Sequence, residues 1–177
     1  MEIEYDAMGA PALAAFCGLF CGACSVYIGS TEDPARLEKL AARLGTKPED
    51  LRCRGCRSGE VGVHCRDCEF KACAKGRGIA FCSECGEYPC AKLEAFQKER
   101  PHRNELWNDL GRIREAGAAA WIREKLGEYA CPACGTVNSA YDLACRSCGA
   151  SPSCAFVRKH RDAIEQHFSN MKKGAAS

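Results

Sequence analysis

Long apolar runs are missing from this chain. Its one long uncharged stretch, residues 7–31, is broken by glycines, a proline and three cysteines. That is poor material to face hydrocarbon, so no membrane association is expected. Basic residues are missing from the start, which carries Glu2, Glu4 and Asp6, against the basic opening of a secretory signal. A cytoplasmic setting, where reducing conditions keep thiols free, is the expectation. No phosphate-cradling glycine loop, no H-E-x-x-H helix and no G-x-S-x-G elbow occurs, which removes the reaction classes that depend on them. The four histidines, His64, His102, His160 and His167, form no triad with any cysteine. Catalysis is therefore not the first expectation.

Larger apolar side chains are also scarce where a core would need them. Residues 52–90 hold only Val61, Val63, Phe70, Ile79, Phe81 and Tyr88. Their burial cannot offset the entropy of ordering 39 residues. What that section has instead is eight cysteines. Structural zinc supplies on the order of 10–16 kcal/mol per site in small finger peptides, enough to fold such a segment.

Sixteen of the 177 residues are cysteine, a bias that in a short chain means disulfides or metal. Cys53/Cys56, Cys65/Cys68, Cys82/Cys85, Cys131/Cys134 and Cys145/Cys148 are all C-x-x-C pairs, and Cys17, Cys21 and Cys24 are as dense. A two-residue gap lets the backbone form a knuckle that aims both thiolates at one tetrahedral ion. A short repeat, C-x2-C-x4-C-A-K, begins at Cys65 and again at Cys82, with Cys73 and Cys90 as the third cysteines. The net charge of +2 counts thiols as neutral. Because a zinc held by four thiolates carries a net −2, basic residues between the knuckles are weak evidence for nucleic acid.

Helices are predicted around these sites. Asp33 and Pro34 cap and open one that carries Leu37, Leu40, Ala41 and Leu44 before Gly45, after a Gly-Ser-Thr turn at 29–31. Cys90 opens another with Leu93 and Phe96, ending by Pro101. A helical connector follows over 101–127, from Asn104, with Leu106, Leu110 and Ile113, a bend at Ala116-Gly117, then Trp121, Ile122 and Leu126 to a stop at Gly127. Trp107 and Trp121 are expected to pack as core. The last helix, from Pro152 to about Met171, has Phe156, Ile164 and Phe168 on its apolar side and a basic cluster of Arg158, Lys159, His160 and Arg161. The expected fold is mainly α, with irregular cysteine-rich loops and short β-hairpins at the knuckles. It divides into a metal-binding domain (1–100), the connector (101–127), a second metal module (128–151) and a basic helix and tail (152–177).

The stretch CPACGTVNSAYDLACRSCG resembles the short zinc-ribbon family in spacing, prolines, glycines and asparagine. It implies one Zn²⁺ on Cys131, Cys134, Cys145 and Cys148, structural because every ligand place is filled by protein. Across residues 17–97, the runs CGLFCGACSVYIG, CRGC, HCRDC-x4-CAKGRGI and CSECGEYPCAKLEAF resemble the domain of unknown function 3795 family. These are cysteine-rich bacterial and archaeal proteins regarded as zinc binders, of no established activity.

Eleven cysteines remain to be shared among N-terminal sites. One division sets Cys53, Cys56, Cys65 and Cys68 around one metal and Cys73, Cys82, Cys85 and Cys90 around another. Cys17, Cys21 and Cys24 are then left as a three-thiolate set, with His64 the nearest fourth ligand by chemistry. Cross-braced pairing is equally allowed by spacing. Cys17-x3-Cys21-x2-Cys24 also suits an iron–sulfur cluster with one open iron, although the succession of strand-helix units that radical enzymes need is absent. Cys154 stands outside every pattern and reads as a buried small hydrophobe. The expected function is a zinc-binding structural or adaptor protein with a protein partner. The alternatives are an iron–sulfur redox protein, or a nucleic-acid binder using the ribbon with Arg158, Lys159 and Arg161.

Overall fold

A computed structural model of the protein describes Gly9 and residues 11–174; Glu2, Glu4 and Asp6 lie outside them. Helix α1, Ser25–Thr31, starts one residue after Cys24 and runs through the segment expected to turn. The hydroxyls of Ser30 and Thr31 do not break it, because they bond back to the carbonyls of Val26 (2.8 Å) and Tyr27 (2.9 Å). Helix α2, Pro34–Leu44, is bounded as its sequence says: the Asp33 carboxylate accepts from the Arg36 N–H at 3.0 Å, and Gly45 follows its last residue. It buries Leu37 and Ala41 on one face and packs on α1. The short α3, Pro48–Leu51, adds Leu51 to that small cluster.

The cysteine-rich section contains α4, Val63–Arg66, and α5, Glu69–Arg77. Helix α6, Ala91–Lys98, is opened by Cys90. Phe70 of α5 meets Phe96 of α6 edge-on at 4.8 Å. Then come α7, Leu106–Ala116, and α8, Ala118–Tyr129, joined by Gly117 as the expected bend. Gly127 does not end α8. The helix continues to Tyr129, whose ring stacks on Phe156 at 4.9 Å and lies 5.7 Å from Phe20; that burial outweighs the weak helix propensity of one glycine. The last helix, α9, covers Ala155–Gly174, with a break in helical geometry at His160.

Among the described residues there are isolated bridges between Ala14 and Phe20 and between Ala130 and Val137, and no strands. The short β-hairpins expected at the knuckles therefore do not form. Each knuckle reverses the chain within five residues, so a single bridging pair is all that its arms can make.

One buried cluster runs the length of the molecule, from Ala14, Phe20 and Phe81 through Leu106, Leu110, Trp121 and Tyr129 to Phe156 and Ile164. Trp121 sits at its centre, edge-on to Phe20 at 6.2 Å. Gly18 shows how close the packing is. Its φ is +85°, and a Cβ there would lie 2.6 Å from Leu110 Cγ, so both backbone and space demand glycine. Cys154 is buried as expected.

The core also encloses a charge network. Lys125 of α8 is buried, with Nζ 3.1 Å from Glu105 and 2.9 Å from Asp109, and it also pairs with Glu128. Asp109 accepts from the Trp121 indole N–H at 3.0 Å. Glu105 in turn receives Lys159, and His160 Nε2 lies 2.9 Å from it. Burial would by itself protonate Glu105, but Lys159, His160 and Lys125 together hold its carboxyl far below the usual range. Three helices are thereby fixed to one another. His160 of the basic cluster on α9 is thus turned inward, while Lys159 reaches Glu105 from the exposed side.

Candidate metal centre

Two turns of identical construction bring four sulfurs together. In the first, the Cys131 N–H bonds the Thr136 carbonyl at 2.8 Å, and the Gly135 N–H returns to the Cys131 carbonyl at 2.9 Å. In the second, Cys145 and Ala150 pair at 2.8 Å, and Gly149 returns to Cys145 at 2.9 Å. Gly135 and Gly149 take φ of +74° and +75°, the left-handed turn that closes each loop at low cost for glycine.

The sulfurs of Cys131 and Cys148 lie 3.7 Å apart, and those of Cys134 and Cys145 lie 3.6 Å apart. All four are within 4.8 Å of one another, and among the described residues this is the one such group. A disulfide needs sulfurs at about 2.05 Å, whereas a tetrahedral ion with bonds of about 2.3 Å sets its ligand sulfurs about 3.8 Å apart. The spacing is that of four sulfurs that could hold a metal ion, not of disulfides. Cys131 and Cys145 are buried and Cys134 and Cys148 exposed, so the site sits at the surface with one side in the protein.

The electrostatics agree. Burial opposes the Cys145 thiolate, but N–H groups of Cys148 and Ser147, with the thiols of Cys131 and Cys134, lower its pKa to about 6. An Ala150 N–H favours the Cys148 thiolate, yet the crowding of Cys134, Cys131 and Cys145 pushes it up to about 12. Four sulfurs this close cannot all be anions unless a cation stands among them.

Asn138, fully buried, ties the two turns together. Its amide donates to the Thr136 carbonyl (2.9 Å), the Ser153 carbonyl (3.2 Å) and the Cys145 sulfur (3.7 Å), while its oxygen accepts from the Arg146 N–H (2.9 Å). The module is then fastened to α1 and α2. The hydroxyls of Ser25 and Ser139 are 2.7 Å apart, Arg36 reaches Asp142 at 3.0 Å, and Arg146 pairs with Glu32. On another side, His102 Nδ1 and the Tyr141 hydroxyl lie 2.6 Å apart. Burial, with Arg103, Arg100 and His167 nearby, drives the His102 pKa down to about 3, so the ring is neutral.

The eleven N-terminal thiols are more spread. All are free of disulfides. The C-x-x-C turns are recognisable: Cys53 Sγ accepts from the Gly55 N–H and Cys85 Sγ from the Glu87 N–H, each at 3.4 Å. Cys17, Cys21 and Cys24 do not stand apart from the others. Cys21 Sγ accepts from the Cys56 N–H at 3.4 Å. Burial pushes the Cys65 thiol up to about 12, reinforced by Cys24, Cys53, Cys56 and Cys68 around it. Cys17 is pushed up by burial and then by Cys56, with Cys82 and Cys68 also near. His64 is exposed on α4.

Residues that the sequence did not single out hold this region. Arg57 lies over the rings of Phe16 (4.0 Å) and Phe81 (4.7 Å) and donates to the Ala14 carbonyl at 2.6 Å and to the Ala80 carbonyl. It thereby clips two loops that are far apart in sequence. Nothing local to Arg57 distinguishes it from the other arginines of the section. Asn138 was visible as part of the ribbon-like stretch, but its role as a clasp was not.

Residues 13–95 match the model of a family described as protein of unknown function (DUF3795). The matched segment contains every cysteine from Cys17 to Cys90 and stops well before the four-sulfur module. No curated protein and no solved structure matches the chain. No described helix is long and apolar enough to cross a membrane.

Proposed function

We propose that this protein is a zinc-stabilised adaptor, a scaffold held by thiolate sites that presents a surface to a protein partner. The observation that carries this reading is the set of four sulfurs at tetrahedral spacing, Cys131, Cys134, Cys145 and Cys148. The chain supplies all four ligands, leaving no open position where a substrate or activated water would bind. The module is a zinc ribbon in its two knuckles and glycine turns, and its ion is structural. Cys17, Cys21 and Cys24 intermix with the Cys53–Cys68 thiols, which removes the argument for a cluster with one open iron; a cluster on four thiolates is told from zinc by metal analysis. Elemental analysis of anaerobically purified protein tests the metal: zinc in more than one equivalent supports the reading, and a brown, iron-bearing sample overturns it.

A protein partner is preferred to nucleic acid because Lys159 and Arg161 of α9 are each paired with a carboxylate of the chain. Lys159 is turned to Glu105, and Arg161 pairs with Glu165 at 2.8 Å. Fluorescence anisotropy with labelled single-stranded and duplex oligonucleotides should show weak binding that is unchanged when Arg158, Lys159 and Arg161 are replaced by alanine. Tight binding that falls steeply with salt and is lost in that variant would overturn the preference.

A further inference from the structure

The geometry points to a second thiolate site, formed by Cys73, Cys82, Cys85 and Cys90, which takes a divalent thiophilic cation of the zinc type. It rests on the reading of the chain as a multi-metal scaffold and deepens it by assigning four ligands. These four cysteines line one cavity of about 70 Å³. Cys73 comes from α5, Cys90 opens α6, and Cys82 and Cys85 come from the loop between them. The two helices meet through Phe70 and Phe96, and both line the cavity together with the loop between them.

Three features mark these thiols as a site that an ion would complete. The Cys85 sulfur accepts the Glu87 N–H, the backbone pattern that stabilises a thiolate in a metal knuckle. Cys82 has Cys90, Cys73 and Cys85 among its electrostatic neighbours. Two cations flank the cavity. Arg77 reaches Cys73 and feels Cys85, and Lys92 lies near Cys73 and Cys90. Each also pairs with a carboxylate, Arg77 with Glu87 at 2.8 Å and Lys92 with Glu69 at 2.9 Å. A tetrathiolate ion carries a net −2, and cations at its rim offset that charge. The cavity exceeds the roughly 10–15 Å³ that one water needs; its four thiols are not at ligand spacing, and an ion would draw them together. The grouping also gives the repeat a physical meaning. The third cysteine of the first copy, Cys73, leaves its own knuckle and completes the second.

Full-length protein, stripped of metal anaerobically and titrated with Co²⁺, tests the assignment by native mass spectrometry. Cys73→Ser and Cys90→Ser should each lower the number of bound ions by one. The double variant should also lower it by one, since both ligands serve the same ion. Cys68→Ser combined with Cys73→Ser should lower it by two. A loss of two ions in the Cys73→Ser/Cys90→Ser double variant, or an unchanged count in both single variants, overturns the assignment. Should the serine variants fail to fold, Cys73→His keeps a ligand in place. The Co²⁺–thiolate absorbance of that site should then fall by roughly a quarter; unchanged absorbance overturns the assignment. Cys145→Ser separates this proposal from the one beneath it. If it loses an ion while Cys73→Ser and Cys90→Ser do not, the C-terminal site stands and this one falls; if none of the three loses an ion, both fall.

Discussion

The two thiol-rich regions of this molecule solve the same problem in opposite ways. Around residues 131–149 the backbone does the gathering: paired turns, left-handed glycines and the Asn138 clasp set four sulfurs at ligand spacing. Between Cys17 and Cys90 the sulfurs are near one another without being gathered to that spacing, and the intervening chain has few large apolar side chains to hold it. The C-terminal module is organised before an ion arrives. On the proposed reading, the N-terminal region is one that an ion would finish organising. The difference teaches where metal energy goes: into affinity at a preformed site, and into folding at an unformed one.

Stripping all metal should therefore separate the regions most sharply. The 52–90 segment is expected to become open to proteolysis, while fragments spanning α7 and α8 persist. Limited proteolysis with mass mapping reads this, and equal protection of both regions after verified metal loss would break the contrast. Next in size is Lys125→Met, which removes the buried cation between Glu105 and Asp109 and leaves Asp109 on the Trp121 N–H alone of the contacts described above. Removing one partner of such a group costs roughly 3–5 kcal/mol. Because this network lies in the shared core, urea unfolding should show the whole molecule shifting together.

Asn138→Ala should act on one region alone. Loss of a clasp behind metal ligands typically weakens binding roughly 10–100-fold, so Co²⁺ titration should show one site weakened and the rest unchanged. That variant would make the preformed site resemble the unformed one. The least direct effect concerns pH. His102 has a folded pKa of about 3 against an unfolded value of about 6.5. The unfolded chain therefore takes up a proton that the native chain refuses, and stability falls as pH drops from about 6.5 toward 3, by about 1.4 kcal/mol per pH unit. Acid also releases metal from thiolates, so the comparison is with His102→Gln, whose stability should decline less steeply over that window.

Local signals were legible wherever the cause was local. Asp33, Pro34 and Gly45 bounded α2, Cys90 opened α6, Gly117 divided α7 from α8, and the four C-terminal cysteines were grouped by their spacing and by the likeness of their stretch to a zinc ribbon. Long-range facts were not. The Lys125–Glu105–Lys159 network joins three helices through charges that read as ordinary surface residues. Arg57 meets Phe16 and Phe81 across loops far apart in sequence. The intermixing of Cys17, Cys21 and Cys24 with Cys53 to Cys68 depends on how the chain folds back, which no spacing rule encodes. Gly127 misled because propensity is weak beside the burial of Tyr129, and the knuckle hairpins because their arms are too short.

Phe20 belongs to the segment shared with the matched family, yet the rings that cover it, Trp121 and Tyr129, lie beyond residue 95. Glu32 and Arg36 likewise answer to Arg146 and Asp142 of the distant module. A chain ending near residue 95 would leave an aromatic face bare and two ionic contacts unanswered. Shortening this one for biophysical work would remove its lid.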